Sequence, residues 1–404
     1  MVKISCKILQ YMASNKIKDI GIYVHIPFCK QKCYYCDFIS YANKKNLIDR
    51  YVNVLIKEII DVAEGNRMDY ENNLDSLFNV NTIYIGGGTP SFIDSKYIVK
   101  ILNTIKQYFK LSNNIEITLE VNPGTLDEKK LKNYFEAGVN RLSIGLQTTN
   151  DELLKEIGRI HTYNDFINTY SLARKVGFKN INADLIIGLP KQTIEDVEKS
   201  VNSLIKLGLE HLSVYSLILE EGTVLEEKVR SGKLNLPEDE EERNMYWKVK
   251  KILEKNSYKH YEISNFAKNG YESKHNLDCW NQKEYIGFGA SAHSYTNGVR
   301  YSNIDNLEKY IENYENDKEV DNFVFHEKQT HNMKVKEYMM LGLRKIDGVC
   351  IQDFKEKFAA NPIYVFKEEL EKLVNEELIE IDGDYIKLTN KGIDLANLVW
   401  EEFV

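Results

Sequence analysis

The sequence has no apolar run of the roughly 18 residues that a membrane-crossing helix needs, which excludes a spanning segment. The first twenty residues, MVKISCKILQYMASNKIKDI, are interrupted by Lys7, Asn15 and Lys16 and contain no small-residue cleavage site. We therefore expect no secretion signal. The sequence predicts a soluble, cytoplasmic protein whose contact with a membrane, where there is any, is peripheral.

The sequence also has no excess of positive charge. It carries 53 Lys and Arg against 61 Asp and Glu, a net charge of −8, with the two signs interspersed. A nucleic-acid-binding protein needs a basic surface to neutralise phosphates, so DNA and RNA are not expected as partners. With 404 residues and 43% hydrophobic content, the chain is long enough for one large core of about 250 to 300 residues and a smaller second domain.

Cysteine is scarce, with only six in the chain, and this excludes the disulfide framework of small secreted proteins. Three of the six, Cys29, Cys33 and Cys36, lie within eight residues of one another. In a large cytoplasmic chain such a group indicates a metal or redox centre. Of the isolated cysteines, Cys6 and Cys350 are interpreted as packing residues.

From residue 21 to residue 236 short β-rich runs alternate with segments of helical period, which predicts an α/β fold with a parallel sheet. The predicted strands are Gly21–Ile26, Thr82–Ile85, Ile115–Val121, Arg141–Leu146, Asn182–Ile187 and His211–Leu217. The predicted helices between them are Leu47–Ala63, Tyr97–Phe109, Leu126–Ala137, Phe166–Val176 and Val197–Leu207. Six such units are too few for a closed eight-fold barrel, so we expect a partial (β/α)6 barrel with its chemistry at the carboxyl ends of the strands.

The remaining segments are assigned to a leader (1–20), a barrel extension (237–326) and a carboxyl-terminal domain (327–404). Within the extension, His260–His293 is rich in glycine and aromatics without clear periodicity, and we interpret it as an ordered loop region laid against the barrel. The last segment reads as three helices, a hairpin turning at Asp382–Gly383 and a final helix, which resembles a winged-helix α+β domain. Its third helix is acidic, so packing or a lid role is favoured over DNA reading.

The three clustered cysteines follow the first predicted strand, which places them at the catalytic rim of the barrel. Three thiolates on a [4Fe-4S] cluster leave one iron without a protein ligand, and the amino and carboxylate groups of S-adenosylmethionine (SAM) can fill that position. The alternative is a structural zinc site in which His25 completes a Cys₃His shell.

Polar or glycine residues follow several of the other predicted strands. The run from Gly86 to Pro90 lets a ligand approach the backbone closely, although it also fits an ordinary tight turn. Glu120, Gln147 and Asp184 lie at or near strand ends, and Arg159 follows the helix after the fourth strand. Taken alone, each of these residues could be a helix cap or a hydrogen-bonded polar residue of the core. Their shared location at the carboxyl ends of the strands predicts that this rim binds a zwitterionic nucleoside.

Taken together, several motifs resemble those of the radical SAM family that contains the oxygen-independent coproporphyrinogen III oxidase and a related heme chaperone. They are YVHIPFCKQKCYYC, IGGGTPS, LEVNPG, RLSIGLQ, GRIH, DLIIGLP and HYEISNFA, and they occur in the order found in that family. The resemblance covers the chain from about residue 21 to the end.

The resemblance implies a [4Fe-4S] cluster on the three clustered cysteines and a bound SAM. The implied SAM contacts are Tyr23, Tyr35, Gly87, Gly88, Thr89, Glu120, Gln147, Arg159 and Asp184. Arg159 suits the methionyl carboxylate because a guanidinium offers paired donors, and Gln147 and Asp184 suit the ribose hydroxyls. Glu120 suits the SAM amino group.

Two features distinguish the oxidase from the chaperone. The oxidase carries a further cysteine two places after the triad, where this chain has Asp37-Phe38, and it has a longer amino-terminal region. The segment His275-Asn276-Leu277-Asp278-Cys279-Trp280 resembles the heme-associated His-Asn-x-x-Tyr-Trp motif of the chaperone, with Cys279 in place of tyrosine.

The resemblance makes His275 a candidate axial ligand of heme, with Cys279 as an alternative and His293 as a weaker candidate. On chemistry alone, His275 also fits a hydrogen-bonded histidine in a packed loop. The leading hypothesis is a heme chaperone that passes heme to an acceptor hemoprotein and is not an active oxidase. The alternatives are oxidative decarboxylation of coproporphyrinogen III and a zinc-stabilised barrel.

Overall fold

The computed structural model describes residues 18–65, 78–316, 318 and 322–404. Most of the predicted leader and Cys6 lie outside the described residues. The first strand begins at Lys18, three residues before the predicted start at Gly21.

Six parallel strands in chain order form the centre of a twelve-stranded sheet, and each corresponds to a predicted strand. They are β1 (Lys18–Ile26), β2 (Phe78–Gly87), β3 (Lys110–Val121), β4 (Arg141–Gln147), β5 (Ile181–Ile187) and β6 (His211–Ser216). The helices that alternate with them are α1 (Ile48–Ala63), α2 (Ser95–Tyr108), α3 (Glu128–Glu136), α4 (Asp151–Glu156), α5 (Tyr163–Val176) and α6 (Ile194–Leu207). In the part of the chain described, the sheet does not close, so the predicted partial barrel is confirmed.

The interpretation of His260–His293 as a loop region is wrong. After α7 (Val224–Arg230) and α8 (Asp239–Lys255), this part of the chain contains β7 (Lys259–Glu262), β8 (Asn265–Ala267), α9 (Lys274–Trp280) and β9 (Tyr285–Phe288). Strand β9 pairs in parallel with β1, so the sheet contains a seventh parallel strand. Elements of three to seven residues are too short to show a period in the sequence.

Both edges of the sheet are extended by antiparallel strands. Strands β8 and β7 continue the sheet beyond β6. On the other side, β9 is followed by β10 (His293–Thr296), β11 (Val299–Asn303) and, after α10 (Leu307–Glu315), β12 (Phe323–Lys328). These additions surround the parallel strands that carry the candidate site.

The two faces of the parallel strands differ in polarity because side chains alternate along a strand. Residues such as Val24, Leu119 and Ile144 pack with the covering helices in one hydrophobic core. The opposite, inner face is polar: Asn182 donates to Ser143 Oγ at 2.7 Å and hydrogen-bonds His211 Nδ1 at 2.7 Å. The barrel interior is therefore a hydrogen-bonded polar network.

The carboxyl-terminal segment has its own hydrophobic core, which includes Met339, Phe354, Ile386 and Phe403. Its elements are α11 (His331–Gly342), β13 (Val349–Cys350), α12 (Ile351–Phe358), α13 (Pro362–Val365), α14 (Lys367–Asn375), β14 (Ile379–Asp382), β15 (Tyr385–Leu388), α15 (Asn390–Asp394) and α16 (Ala396–Glu401). The three strands form a sheet in the order β13-β15-β14. The predicted third and final helices are each divided in two, and no helix in the described ranges is long and apolar enough to cross a membrane.

The buried carboxylate of Glu58 joins α1 to the segment that follows β9. Its two oxygens accept hydrogen bonds from Gly289 N at 2.7 Å, Tyr310 Oη at 2.6 Å and Asn303 Nδ2 at 2.7 Å.

We expect Glu58→Ala to lower the free energy of unfolding by about 3 kcal/mol or more, because three buried donors lose their acceptor. Denaturant unfolding measures this, and Glu152→Ala, which removes an exposed carboxylate, is expected to change stability by less than about 0.5 kcal/mol. Equal losses in the two variants would contradict the role given to Glu58.

Candidate functional site

The cysteine-bearing loop after β1 is fixed at both its base and its tip. At the base, Cys29 N donates to Tyr41 O at 3.1 Å. At the tip, Tyr34 N donates to Ile157 O at 3.0 Å, and the Gln31 amide donates to Gly158 O at 3.1 Å. Because the loop is held against the end of α4, all three thiols face the rim of the barrel.

A cavity of about 530 Å³ lies at the carboxyl ends of the parallel strands, and most of the predicted site residues line it. The predicted residues in its lining are Cys29, Cys33, Tyr35, Cys36, Gly87, Gly88, Thr89, Glu120, Gln147, Arg159 and Asp184. The structure therefore brings these residues together at one edge of the sheet.

The cysteines lie in a buried environment with donors directed at two of the sulfurs. Thr89 Oγ1 donates to Cys29 Sγ at 3.5 Å, and Arg159 Nη1 donates to Cys33 Sγ at 3.4 Å. Burial raises the pKa of the Cys29 thiol and raises the pKa of the Cys36 thiol to about 11. Soft sulfur donors beside a cationic guanidinium suit an electron-rich iron–sulfur centre.

His25, the fourth ligand of the zinc alternative, is occupied elsewhere. Its Nδ1 hydrogen-bonds Tyr23 Oη at 2.9 Å, and its Nε2 hydrogen-bonds the carbonyl oxygen of Ile39 at 2.9 Å. Burial lowers the pKa of His25 to about 4, so the ring is neutral at physiological pH. Among the described residues, no three His, Cys, Asp or Glu side chains gather as a single-ion site. This arrangement disfavours the Cys₃His zinc alternative.

The glycine run at the end of β2 is required because neighbouring side chains occupy the space that a Cβ would fill. A Cβ on Gly87, whose φ is +111°, would lie 2.6 Å from the His25 ring, and one on Gly88 would lie 2.9 Å from Cys29 Sγ. The backbone N–H of Gly87 donates to Glu120 Oε2 at 3.1 Å. The glycine run therefore brings the backbone close to both Cys29 and Glu120.

Arg159 lies between the cysteines and the end of β4. Its Nη2 donates to Asn122 Oδ1 at 3.0 Å and to the carbonyl oxygen of Gly145. Burial opposes its charge, yet the neighbouring Tyr35 phenol and Cys33 thiol hold its pKa above the ordinary value. Its buried Nε has no hydrogen-bond partner among the described residues, which leaves a donor free for an anionic ligand.

The two carboxyl groups of the cavity are held by different donors. Glu120 accepts from Tyr84 Oη at 2.8 Å, and burial raises its pKa to about 7. Asp184 accepts from Asn182 Nδ2 at 2.7 Å, and burial also raises its pKa. Gln147 has a φ of +75° at an irregularity of β4, which brings its side chain into the cavity lining. These groups can accept from an ammonium and from hydroxyls.

Two predicted residues, Tyr23 and His275, do not line the cavity. His275 on α9 is buried, its Nδ1 hydrogen-bonds Thr82 Oγ1 at 2.9 Å, and its ring stacks on Tyr84 with centroids 5.2 Å apart. Burial lowers its pKa to about 4. Cys279 lies one turn further along the same helix, and burial raises its pKa to about 12. His293, at the start of β10, is exposed.

Several cavity residues were missed by the sequence analysis. Asn122 and Tyr84 contact predicted residues directly, and Phe38 and Ile218 line the mouth of the cavity with 65% and 67% of their surface exposed. Strand alternation was a usable signal for Tyr84, which lies two residues before Gly86 on the same face of β2. Asn122, two residues after Glu120, carries the same signal.

Two family models match the chain. The model described as the Radical SAM superfamily matches residues 23–204, and the model described as the HemN C-terminal domain matches residues 329–395. The first range contains the cysteines and every predicted residue of the cavity.

Full-length relatives give the same assignment. The chain is 39% identical to the heme chaperone HemW of Lactococcus lactis over 387 residues, covering 96% of this chain and 98% of the relative. It is 40% identical to the heme chaperone HemW of Bacillus subtilis over 388 residues, covering 95% and 98%. Its fold resembles the solved structure of coproporphyrinogen III oxidase, HemN, from Escherichia coli, with a TM-score of 0.82 at 23% identity, covering 98% of this chain and 92% of that one.

Proposed function

Because the chain belongs to the heme chaperone HemW family of the radical SAM superfamily, we propose that it binds heme and transfers it to an acceptor hemoprotein. In the same proposal it carries a [4Fe-4S] cluster and SAM. The observation that carries the cofactor part is one cavity that holds three thiols, a buried arginine and two carboxyl groups.

Each side chain has a definite part in this proposal. Cys29, Cys33 and Cys36 hold the cluster, and Arg159 pairs with the methionyl carboxylate through its free donor. Glu120 accepts from the SAM amino group. Gln147 and Asp184 accept from the ribose hydroxyls. Gly87 and Gly88 let the ligand approach the backbone, and Thr89 lines the cavity beside Cys29. When bound, a reduced cluster of this kind supplies the electron that can cleave the sulfonium of SAM.

Porphyrin decarboxylation is not the function that we propose. The HemN likeness, at 23% identity, establishes the fold alone, whereas the relatives that match at 39% and 40% are chaperones. Phe38 occupies the position at which the oxidase has a further cysteine, and its side chain is exposed at the cavity mouth. An apolar ring there offers no additional thiol to the chemistry.

Heme ligation by His275 requires helix α9 to move. The imidazole is buried, with its Nδ1 hydrogen-bonded to Thr82, so iron reaches the ring only after the packing around α9 opens. Cys279, on the same helix, is the alternative axial donor. We therefore propose that heme binds at α9. Substitution of His275 and of Cys279 distinguishes the two candidate axial ligands.

Purified protein is expected to bind heme, and His275→Ala is expected to shift the Soret band and weaken binding because the iron loses its imidazole. Heme titration followed by absorbance measures both changes. Cys279→Ala is the comparison, since only a thiolate-ligated heme changes when the sulfur is removed. If neither variant alters the spectrum or the affinity, α9 is not the heme-binding element.

The same protein is expected not to convert coproporphyrinogen III to protoporphyrinogen under anaerobic reducing conditions. Product analysis with added SAM measures this. Decarboxylation with vinyl product appearing alongside 5′-deoxyadenosine would overturn the chaperone proposal in favour of the oxidase.

A further inference from the structure

Three aromatic rings lie side by side in the barrel interior. The ring centroids of Tyr23 and Tyr84 are 6.3 Å apart with an interplanar angle of 28°, and those of Tyr84 and His275 are 5.2 Å apart with an angle of 29°. Tyr84 is the central ring. It contacts the cavity on one side and helix α9 on the other.

The hydroxyl of Tyr84 determines how the Glu120 carboxyl group is held. Tyr84 Oη donates to Glu120 Oε1 at 2.8 Å, and the other oxygen of Glu120 accepts from Gly87 N at 3.1 Å. On the opposite side a Cβ on Gly86 would lie 2.9 Å from the same carboxyl group. A displacement of the Tyr84 ring therefore removes one of the two donors that orient this carboxylate.

Helix α9 is anchored to the barrel at its amino-terminal end. The backbone N–H groups of Lys274 and His275 donate to the two carboxyl oxygens of Glu116, each at 3.2 Å. Glu116 lies four residues before Glu120 on β3, so both face the barrel interior. His275 is thus held by the same strand that carries the carboxylate of the cavity.

The other end of α9 is anchored to the carboxyl-terminal segment. The guanidinium of Arg344 lies 4.6 Å from the Trp280 ring and 4.1 Å from the Trp400 ring, and Lys345 Nζ donates to Asn281 Oδ1 at 2.5 Å. A change in the position of the carboxyl-terminal segment or of α9 is therefore transmitted to the His275 ring.

We propose that Tyr84 is a positioning residue that couples His275 on α9 to the SAM-binding carboxylate of Glu120. The proposal deepens the function proposed above and rests on SAM binding at Glu120. Opening α9 to expose His275 removes the ring against which Tyr84 stacks, and the hydroxyl of Tyr84 then no longer holds Glu120 in place. Binding at α9 and binding of SAM are consequently linked, and the linkage is reciprocal.

The ionisation of Glu120 gives the coupling a pH signature. Burial raises its pKa to about 7, and the hydrogen bond from Tyr84 opposes that rise. The ionised form accepts a hydrogen bond from the SAM amino group more strongly than the protonated form, so affinity increases as pH rises through this pKa. The other titratable groups that face Glu120 are Tyr23 on β1, Arg141 on β4, Asp184 on β5 and Tyr215 on β6.

Tyr84→Phe in the cluster-loaded protein is expected to weaken SAM binding about tenfold at pH 7, because the ionised carboxylate loses a donor. The pH midpoint of binding is expected to move upward, and part of the loss is expected to persist in more alkaline solution because the ionised carboxylate still lacks the donor that orients it. Equilibrium dialysis with labelled SAM across pH measures both. Tyr134→Phe is the matched control: its phenol is buried in α3, and its oxygen has no partner among the described residues.

A double-mutant cycle tests the connection to α9. We expect His275→Ala to weaken SAM binding in the wild type and to add little in the Tyr84→Phe background, since both changes break one pathway. Iron content and thermal unfolding must match the wild type in each variant. Additive effects, or a Tyr84→Phe midpoint equal to that of the wild type, would overturn the coupling. Absence of SAM binding by the wild type would instead overturn the proposed function.

Discussion

Single alanine substitutions at Cys29, Cys33 and Cys36 are expected to abolish the iron–sulfur cluster. Anaerobically purified wild-type protein is expected to be brown, with about four irons and four sulfides per chain, as three thiolates suit a site-differentiated cluster. The three sulfurs line one cavity and belong to a loop that is fixed at its base and its tip. Removing one of them leaves two thiolates, so a second iron of the cluster has no protein ligand. Iron and labile-sulfide analysis with visible absorbance measures the loss.

Cys350→Ala is the matched control for these variants. Its thiol precedes α12 in the carboxyl-terminal segment and does not line the cavity, so iron and sulfide content are expected to stay at the wild-type level. Stoichiometric zinc without labile sulfide in the wild type would contradict the cluster assignment and restore the zinc alternative.

The parallel strands were predictable because short apolar runs between helical segments have a strong signal. The predicted and observed ends of β5 and β6 agree within one residue at each end. Strand β2 starts at Phe78, four residues before the predicted start, because Asn79 and Asn81 make its first half too polar to read as a strand. The local sequence pattern thus predicts that a strand is present more accurately than it predicts where the strand begins and ends.

The membership of the site was predictable to a similar degree, and its internal contacts were not. Glu120, Gln147 and Asp184 follow from the convergence of parallel strands at one edge. Tyr84 reads in the sequence as an ordinary aromatic of a strand, and only the fold reveals that its hydroxyl holds Glu120. A hydrogen-bonded, packed His275 was one of the alternatives, but its partners were hidden because Thr82 and Tyr84 lie about 190 residues away in the chain.

Long-range pairing accounts for the main error in the fold. Strand β9 has four residues, and its partner β1 lies more than 260 positions earlier. A strand of that length has no reliable period, and parallel pairing leaves no turn signal between neighbours. The placement of α9 between the barrel and Arg344 is a second consequence of contacts that local sequence does not encode.

Arg159→Ala is expected to weaken SAM binding to the cluster-loaded protein by about 1.5–3 kcal/mol, on the order of ten- to a hundredfold, because a carboxylate loses a charge-assisted hydrogen bond from a cation. The buried guanidinium already bonds Asn122 and Gly145, so it is fixed before the ligand arrives, and its Nε remains free in the described part of the chain. Titration of SAM by equilibrium dialysis gives the dissociation constants.

Arg159 also donates to Cys33 Sγ, so affinities must be compared at equal iron content. Arg159→Lys separates charge from geometry: it keeps a cation but lacks the planar guanidinium that presents Nε, and we expect an intermediate affinity. Arg174→Ala is the control, since that guanidinium pairs with Glu210 outside the cavity lining. Because Nε is the donor left free for a ligand, an Arg159→Ala protein with full cluster and wild-type affinity would show that the methionyl carboxylate is held by another group.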